Sequence, residues 1–176
     1  FPELCNILMQ HEDKSGIVYC LTRKNVEEVC ENLNAAGYNA TRYHAGLNDY
    51  ERIKNQDDFI YDRKQIMVAT NAFGMGIDKS NVSFVIHYSM PKNLENYYQE
   101  AGRAGRDGEK ADCILLYNGQ DVHTNQYLID NTLPNSAITP SMREEIKKRD
   151  LERLKQITYY CNTKSCLRGF ILNYFG

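Results

Sequence analysis

The chain has 176 residues, an apolar share of 42% and a net charge of −2. That length and share allow one good core with a small appendage, and no stretch approaches the roughly 20 apolar residues that a membrane-spanning helix needs. The charge excludes a broad basic field, so a polyanion would have to be held by a local site.

The opening residues, "FPELCNILMQ", lack the charged n-region of a secretory signal and read as the continuation of upstream polypeptide. The six cysteines show no C-x-x-C spacing, which fits a reducing compartment. "ILMQHED" (7–13) reads as the end of a helix or an edge segment. "IVYCL" (17–21) follows the turn residues Ser15 and Gly16 and is predicted to be a buried strand. A helix is predicted from Arg23 to Ala36, with Thr22 as N-cap and Gly37 at its end. "NATRYH" (39–44) is the second strand. Asn48 with Glu51 makes a capping box for a helix reaching Ile60. "QIMVAT" (65–70) and "SFVIHY" (83–88) are the third and fourth strands, and Asn93 caps a helix through Ala101. "ADCILLY" (111–117) is the fifth strand, followed by a helix near 121–129. Cys20 and Cys113, inside apolar runs, are expected to be buried thiols.

Apolar strands alternating with helices imply an α/β fold with a parallel sheet covered on both faces. Such sheets bind ligands beyond the carboxyl ends of their strands, so the polar loops after them are expected to share one rim. Residues 1–130 form this domain. "NTLPNSAITP" (131–140) reads as a linker. Residues 141–176 are a short helical extension: Ser141 starts a charged helix, Glu144 completes a capping box, and Met142, Ile146, Leu151, Leu154 and Ile157 form its apolar stripe. A second, largely apolar helix is predicted over 164–174.

The most unusual stretch is "QEAGRAGRDG" (99–108). If the helix from Asn93 continued to Arg106, then Gln99, Arg103 and Arg106 would share one face. Glycines at 102, 105 and 108 keep the region slim, so a phosphate can approach. Arginine stays protonated and offers a planar fork of donors to phosphate oxygens. Two arginines alone also fit a solvated basic turn in which Arg106 pairs with Asp107 or Glu109; the three glycines favour the phosphate reading.

In "ATNAFGMGIDK" (69–79), Gly74-x-Gly76 begins like a dinucleotide fingerprint, but the third glycine is replaced by Lys79 and that reading fails. The loop can still offer backbone N–H groups to an anion, and Asp78 can accept from a ribose hydroxyl. "YHAGL" (43–47) and "CLTRKN" (20–25) end strands with small and polar residues suited to a sugar-phosphate backbone, although His44 alone is more often structural and Thr22 is needed as a cap. No G-x-x-x-x-G-K-[ST] pattern occurs, so the chain has nucleotide-facing parts without a phosphate cradle.

Taken in order, "YCLTRKNVEEV", "YHAGL", "ATNAFGMGIDK" and "YYQEAGRAGRDG" resemble the second RecA-like domain of RecQ-family DNA helicases, from about Ser15 to Gly176. The resemblance implies a fragment of an ATP-dependent motor that moves 3′-to-5′ on single-stranded DNA in recombination and repair. It implies that Gln99, Arg103 and Arg106 reach ATP and Mg²⁺ held by a P-loop domain outside this chain, with Arg106 as arginine finger and Arg103 coupling nucleotide state to closure. Gly76 and Asp78 would approach ATP from this side, and Thr22, Arg23, His44, Gly46, Thr70 and Asn71 would lie near the DNA backbone. Cys166 and "ILNYFG" (171–176) resemble the start of the family's zinc-binding subdomain, whose other three cysteines would follow, so Zn²⁺ is expected only with those residues. The implied location is cytoplasmic, with the bacterial nucleoid, or nuclear; partners are single-stranded and partly duplex DNA and the P-loop domain, not a membrane. The alternative reading is an α/β binding module for nucleic acid or protein with no ATPase role. On the helicase reading, the isolated chain is expected to lack ATPase activity.

Overall fold

Five short runs, continuously apolar in the centre of the sheet and mixed in the two outer strands, become one parallel sheet in the computed structural model, which describes residues 1–74, 79–131 and 139–176. The elements are α1 (Pro2–Met9), β1 (Gly16–Tyr19), α2 (Arg23–Ala35), β2 (Ala40–Tyr43), α3 (Asp49–Ile60), β3 (Ile66–Ala69), β4 (Phe84–His87), α4 (Leu94–Ala101), β5 (Asp112–Leu115), α5 (Gly119–Asp130), α6 (Pro140–Asn162) and α7 (Leu167–Phe175). The strand order is β2–β3–β1–β4–β5. All four pairings are parallel and nearly unstaggered: Gly16 lies opposite both Ile66 and Phe84, and Tyr19 opposite both Ala69 and His87.

The chain divides into two compact units. The first is Phe1–Ser89 with Tyr98–Leu116; the second is Met90–Tyr97 with Tyr117–Gly176. In the first unit, alternate strand residues feed two cores. Val18, Val68, Phe84 and Ile86 face α1 (Leu4, Leu8) and α2 (Val26, Val29, Cys30, Leu33). On the other face, Ile17, Tyr19, Met67, Ala69 and Val85 meet Phe59 of α3 together with Phe73 and Val82. Helix starts follow the expected chemistry: Thr22 accepts from Asn25 N at 3.2 Å, and the Asn48–Glu51 capping box forms in full. Cys20 is buried as expected, but Cys113 is exposed. It lies on β5, an edge strand whose first two residues face solvent.

In the second unit, Asp121 and Asn125 of α5 tie down Met90: Met90 N donates to Asp121 Oδ2 at 3.0 Å, and Asn125 Nδ2 donates to Met90 O at 3.1 Å. Helix α6 starts at Pro140, not Ser141. Thr139 is the N-cap, accepting from Met142 N at 3.3 Å, because proline fits the first helical position, where no N–H is needed. Its buried face is Leu154, Ile157 and Tyr160; Met142, expected on the stripe, is exposed. Tyr160 packs between Tyr97 and Phe170, with ring centroids 5.3 and 5.5 Å away. Most of the expected linker (132–138) lies outside the described residues.

Candidate functional site

A parallel sheet forces the chain back from the carboxyl end of each strand to the amino end of the next. Between β1 and β2 and between β2 and β3 that return is made by a long helix. Between β3 and β4 the described residues form no helix, and between β4 and β5 the short α4 is followed by the arginine segment 102–111. Both returns lie on the same sheet face, through Phe73, Val82 and Ala104. The expectation that the arginine loop joins the other loops on one rim is therefore corrected. Glu100 bonds His87 at the carboxyl end of β4, whereas Gly105 N donates at 2.9 Å to the carbonyl of Val82, just before that strand begins.

The helix also does not continue to Arg106. It stops at Ala101; Arg103 N and Ala104 N then bond carbonyls three residues back. Gly105 takes a φ of +66°, the left-handed conformation that glycine adopts without a Cβ penalty. Gln99, Arg103 and Arg106 consequently do not lie along one helical face. Gln99 is exposed on the last turn of α4, and Arg106 is exposed on the segment beyond it, its Nε within 3.4 Å of Gly102 O. Arg103 is half-buried and lies against the backbone of Gly74, where a Cβ would collide with Nη2 and Cζ of the guanidinium. Gly74 has a φ of +141°, a conformation that favours glycine, and a Cβ there would displace the Arg103 guanidinium from its seat. Gly76 and Asp78 lie outside the described residues.

Three residues that the sequence did not single out complete this site. Tyr19 OH donates to Phe73 O at 3.1 Å, and its ring stacks on His87 with centroids 5.5 Å apart. His87 Nε2 lies 2.8 Å from Glu100 Oε2, and both residues are buried. Arg103 Nε is buried without a hydrogen-bond partner. A half-buried guanidinium with one donor unsatisfied is thus followed, three residues on, by an exposed one.

The other predicted residues follow the carboxyl ends of β1, β2 and β3, three adjacent strands. His44 is buried, with Nε2 2.7 Å from Glu27 Oε1 and Nδ1 accepting from Gly46 N at 3.0 Å. Those partners assign the tautomer, with the proton on Nε2. Both ring nitrogens are thus engaged, and His44 shapes the turn rather than presenting a donor. Thr22 is occupied as a cap, and Thr70 Oγ1 accepts from Ala72 N at 3.4 Å. Arg23, Gly46 and Asn71 are the exposed members of the group.

Among the described residues no three His, Cys, Asp or Glu side chains converge to hold a metal. Cys166 is exposed at the start of α7, its Sγ accepting from Gly169 N at 3.5 Å. Burial pushes the Cys161 thiol up to about 12, away from the thiolate form that metals require. Cys166 can supply at most one of the four ligands that a structural zinc centre needs.

Residues 1–108 match the family model described as "helicase conserved C-terminal domain", and residues 119–176 match the one described as "RecQ zinc-binding". The chain is 47% identical over 169 residues to an "ATP-dependent DNA helicase RecQ" of Bacillus subtilis, covering 96% of this chain and 27% of that protein. It is 43% identical over 164 residues to the "RecQ-like DNA helicase blm-1" of Caenorhabditis elegans, covering 93% of this chain and 16% of that one. The chain thus spans about a quarter or less of these relatives. Among solved structures, it resembles a DEAD box protein from Methanococcus jannaschii with a TM-score of 0.62 and 29% identity, over 73% of this chain and 35% of that one.

Proposed function

Because the chain belongs to the helicase conserved C-terminal domain family, and its relatives include RecQ-type DNA helicases, we propose that it serves as the second RecA-like lobe of an ATP-dependent DNA helicase. The observation that carries this reading is the pair of guanidiniums on the β4–β5 return, with Arg103 seated on Gly74 and Arg106 exposed. In this assignment Arg106 is the arginine finger. It supplies positive charge to a triphosphate, bound with Mg²⁺ by a P-loop domain, as charge grows on the transferring phosphoryl group. Arg103 positions that segment, and Gln99 borders it. Gly76 and Asp78 approach the nucleotide from the neighbouring return. Arg23, Gly46 and Asn71, supported by Thr22, His44 and Thr70, form part of a track for single-stranded DNA. Movement is 3′-to-5′, the parent protein works at the bacterial nucleoid or in the nucleus, and Cys166 contributes one thiolate to a zinc site completed by other residues.

The test is Arg106→Ala in the helicase polypeptide that carries this lobe. DNA-stimulated ATP turnover should fall on the order of a thousandfold, with a small change in the KM for ATP. Turnover within a few-fold of the parent would overturn the finger assignment and leave the chain as a nucleic-acid- or protein-binding module. The chain alone is expected to bind ATP too weakly for calorimetry, since the sequence has no P-loop; sub-micromolar binding would contradict this.

A further inference from the structure

Tyr19 ends β1 and is 3% exposed. Its hydroxyl reaches across to the carbonyl of Phe73, on the return that follows β3. Burial holds the phenol well above its ordinary pKa, against the pull of the nearby Arg103 guanidinium, so it is a neutral donor near pH 7. Phe73 is itself buried and packs on Tyr43 and Phe59. The next residue is Gly74, on whose backbone Arg103 rests. Three residues before Phe73 stands Thr70, whose Oγ1 holds Ala72 N, and beside it is exposed Asn71. The 70–74 segment is thus pinned at one end by Thr70 and at the other by Tyr19. On the opposite side, the Tyr19 ring stacks on His87, which bonds Glu100 three residues before Arg103. Tyr19 therefore contacts both returns: its hydroxyl holds Phe73 O and interacts with the Arg103 side chain, and its ring stacks on His87.

We propose that Tyr19 is a positioning residue that links the nucleic-acid rim at Thr70 and Asn71 to the arginine segment, holding Gly74 and Arg103 in register so that Arg106 is aimed. This rests on the reading of Arg106 as the nucleotide-facing arginine. A backbone shift at Asn71 cannot reach Arg103 without moving the Phe73 carbonyl, and the Tyr19 hydroxyl governs that carbonyl. Close packing leaves no slack at Gly74 to absorb such a shift.

The decisive variant is Tyr19→Phe, which keeps the ring and removes the hydroxyl, with its hydrogen bond to Phe73 O and its interaction with the Arg103 side chain, tested in the helicase polypeptide carrying this lobe. The kcat of ATP hydrolysis stimulated by oligo-dT should fall about threefold to tenfold, the worth of one such bond. The KM for ATP and the Kd for oligo-dT should stay close to those of the parent, and the thermal midpoint should fall by only a few degrees, the cost of one buried carbonyl left without its donor. Arg103→Lys should lower kcat as well, and the double variant should lose less than the product of the two single effects. An unchanged kcat overturns the proposal. So does a loss of kcat that is multiplicative with Arg103→Lys, since that marks a hydroxyl acting independently of the arginine segment. Arg106→Ala, measured alongside, separates the two readings. If it abolishes turnover while Tyr19→Phe does nothing, only the Tyr19 proposal fails; if it spares turnover, the finger reading fails and this proposal falls with it.

Discussion

Replacing Gly74 with alanine puts a methyl group where the guanidinium of Arg103 now lies. Two costs follow. The φ of +141° is one that residues with a Cβ rarely adopt, which costs about 1–3 kcal/mol. The clash is with the far end of a flexible side chain, so Arg103 swings away rather than the sheet yielding, and the interlock between the two returns is lost. For a chain of this length each kcal/mol lowers the thermal midpoint by about 2–4 °C, so Gly74→Ala should melt several degrees early. The informative assay is a double-mutant cycle with Arg103→Ala, read by thermal denaturation. Removing the guanidinium relieves the clash but not the backbone strain, so the double variant should be more stable than the sum of the single effects predicts. Strict additivity would refute the close packing of Arg103 on Gly74, and a midpoint unchanged in Gly74→Ala would refute the backbone argument.

Lys79 is buried, and its Nζ lies 2.7 Å from Asp62 Oδ1, which also accepts from Ser15; Lys79 thus anchors the return into β4. The hydrogen bond from Lys79 holds the Asp62 carboxyl below its ordinary range, so its stabilisation is fully present above the unfolded pKa of about 4 and is lost as pH falls through the lower folded value. Asp62→Asn should therefore lower the midpoint at pH 7, with a deficit that shrinks below about pH 4; a deficit independent of pH would show that the charge is not involved. On the proposed DNA track, Arg23→Ala should flatten the dependence of log K on log salt for oligo-dT by about 0.7, the share of one phosphate contact on a single strand; an unchanged slope would remove Arg23 from the track.

The strands and most helix starts were legible because local chemistry decides them. Continuous apolar runs mark β1 and β3 as buried strands, and Thr22 and Asn48 cap where a hydroxyl or amide oxygen precedes a helix. Errors arose where two local signals competed or where a distant partner decided. Thr139 and Ser141 are both competent caps, and Pro140 between them carries the deciding cue. Strand order is not written in any single run, so nothing marked β5 as an edge or Cys113 as exposed. The end of α4 depends on Val82, a residue 23 positions before Gly105 in the numbering, whose carbonyl takes the Gly105 N–H. The residue types at the site were readable, since glycines and arginines at that spacing are unusual. Their division into a seated arginine and an exposed one was not, because the seat is Gly74, on another return, and Tyr19 reads from sequence as an ordinary core residue.

Among the described residues no helix covers the sheet beside the arginine segment, and this is what makes that division possible. A helix packed on a sheet stands off from it, with side chains filling the gap, and an arginine on it would reach the backbone below only by burying its whole length. Residues 102–105 instead run close to the sheet as turns, so the Arg103 guanidinium meets a glycine backbone directly while Arg106, three residues on, is still at the surface. The arrangement leaves a buried Nε unpaired, at a desolvation cost of about 1–3 kcal/mol. An apolar side chain of similar length would fill the same space without that cost. It could not hold a positive charge beneath the surface, beside a second one above it, and that pairing is what the proposed role of Arg106 as the nucleotide-facing arginine draws on.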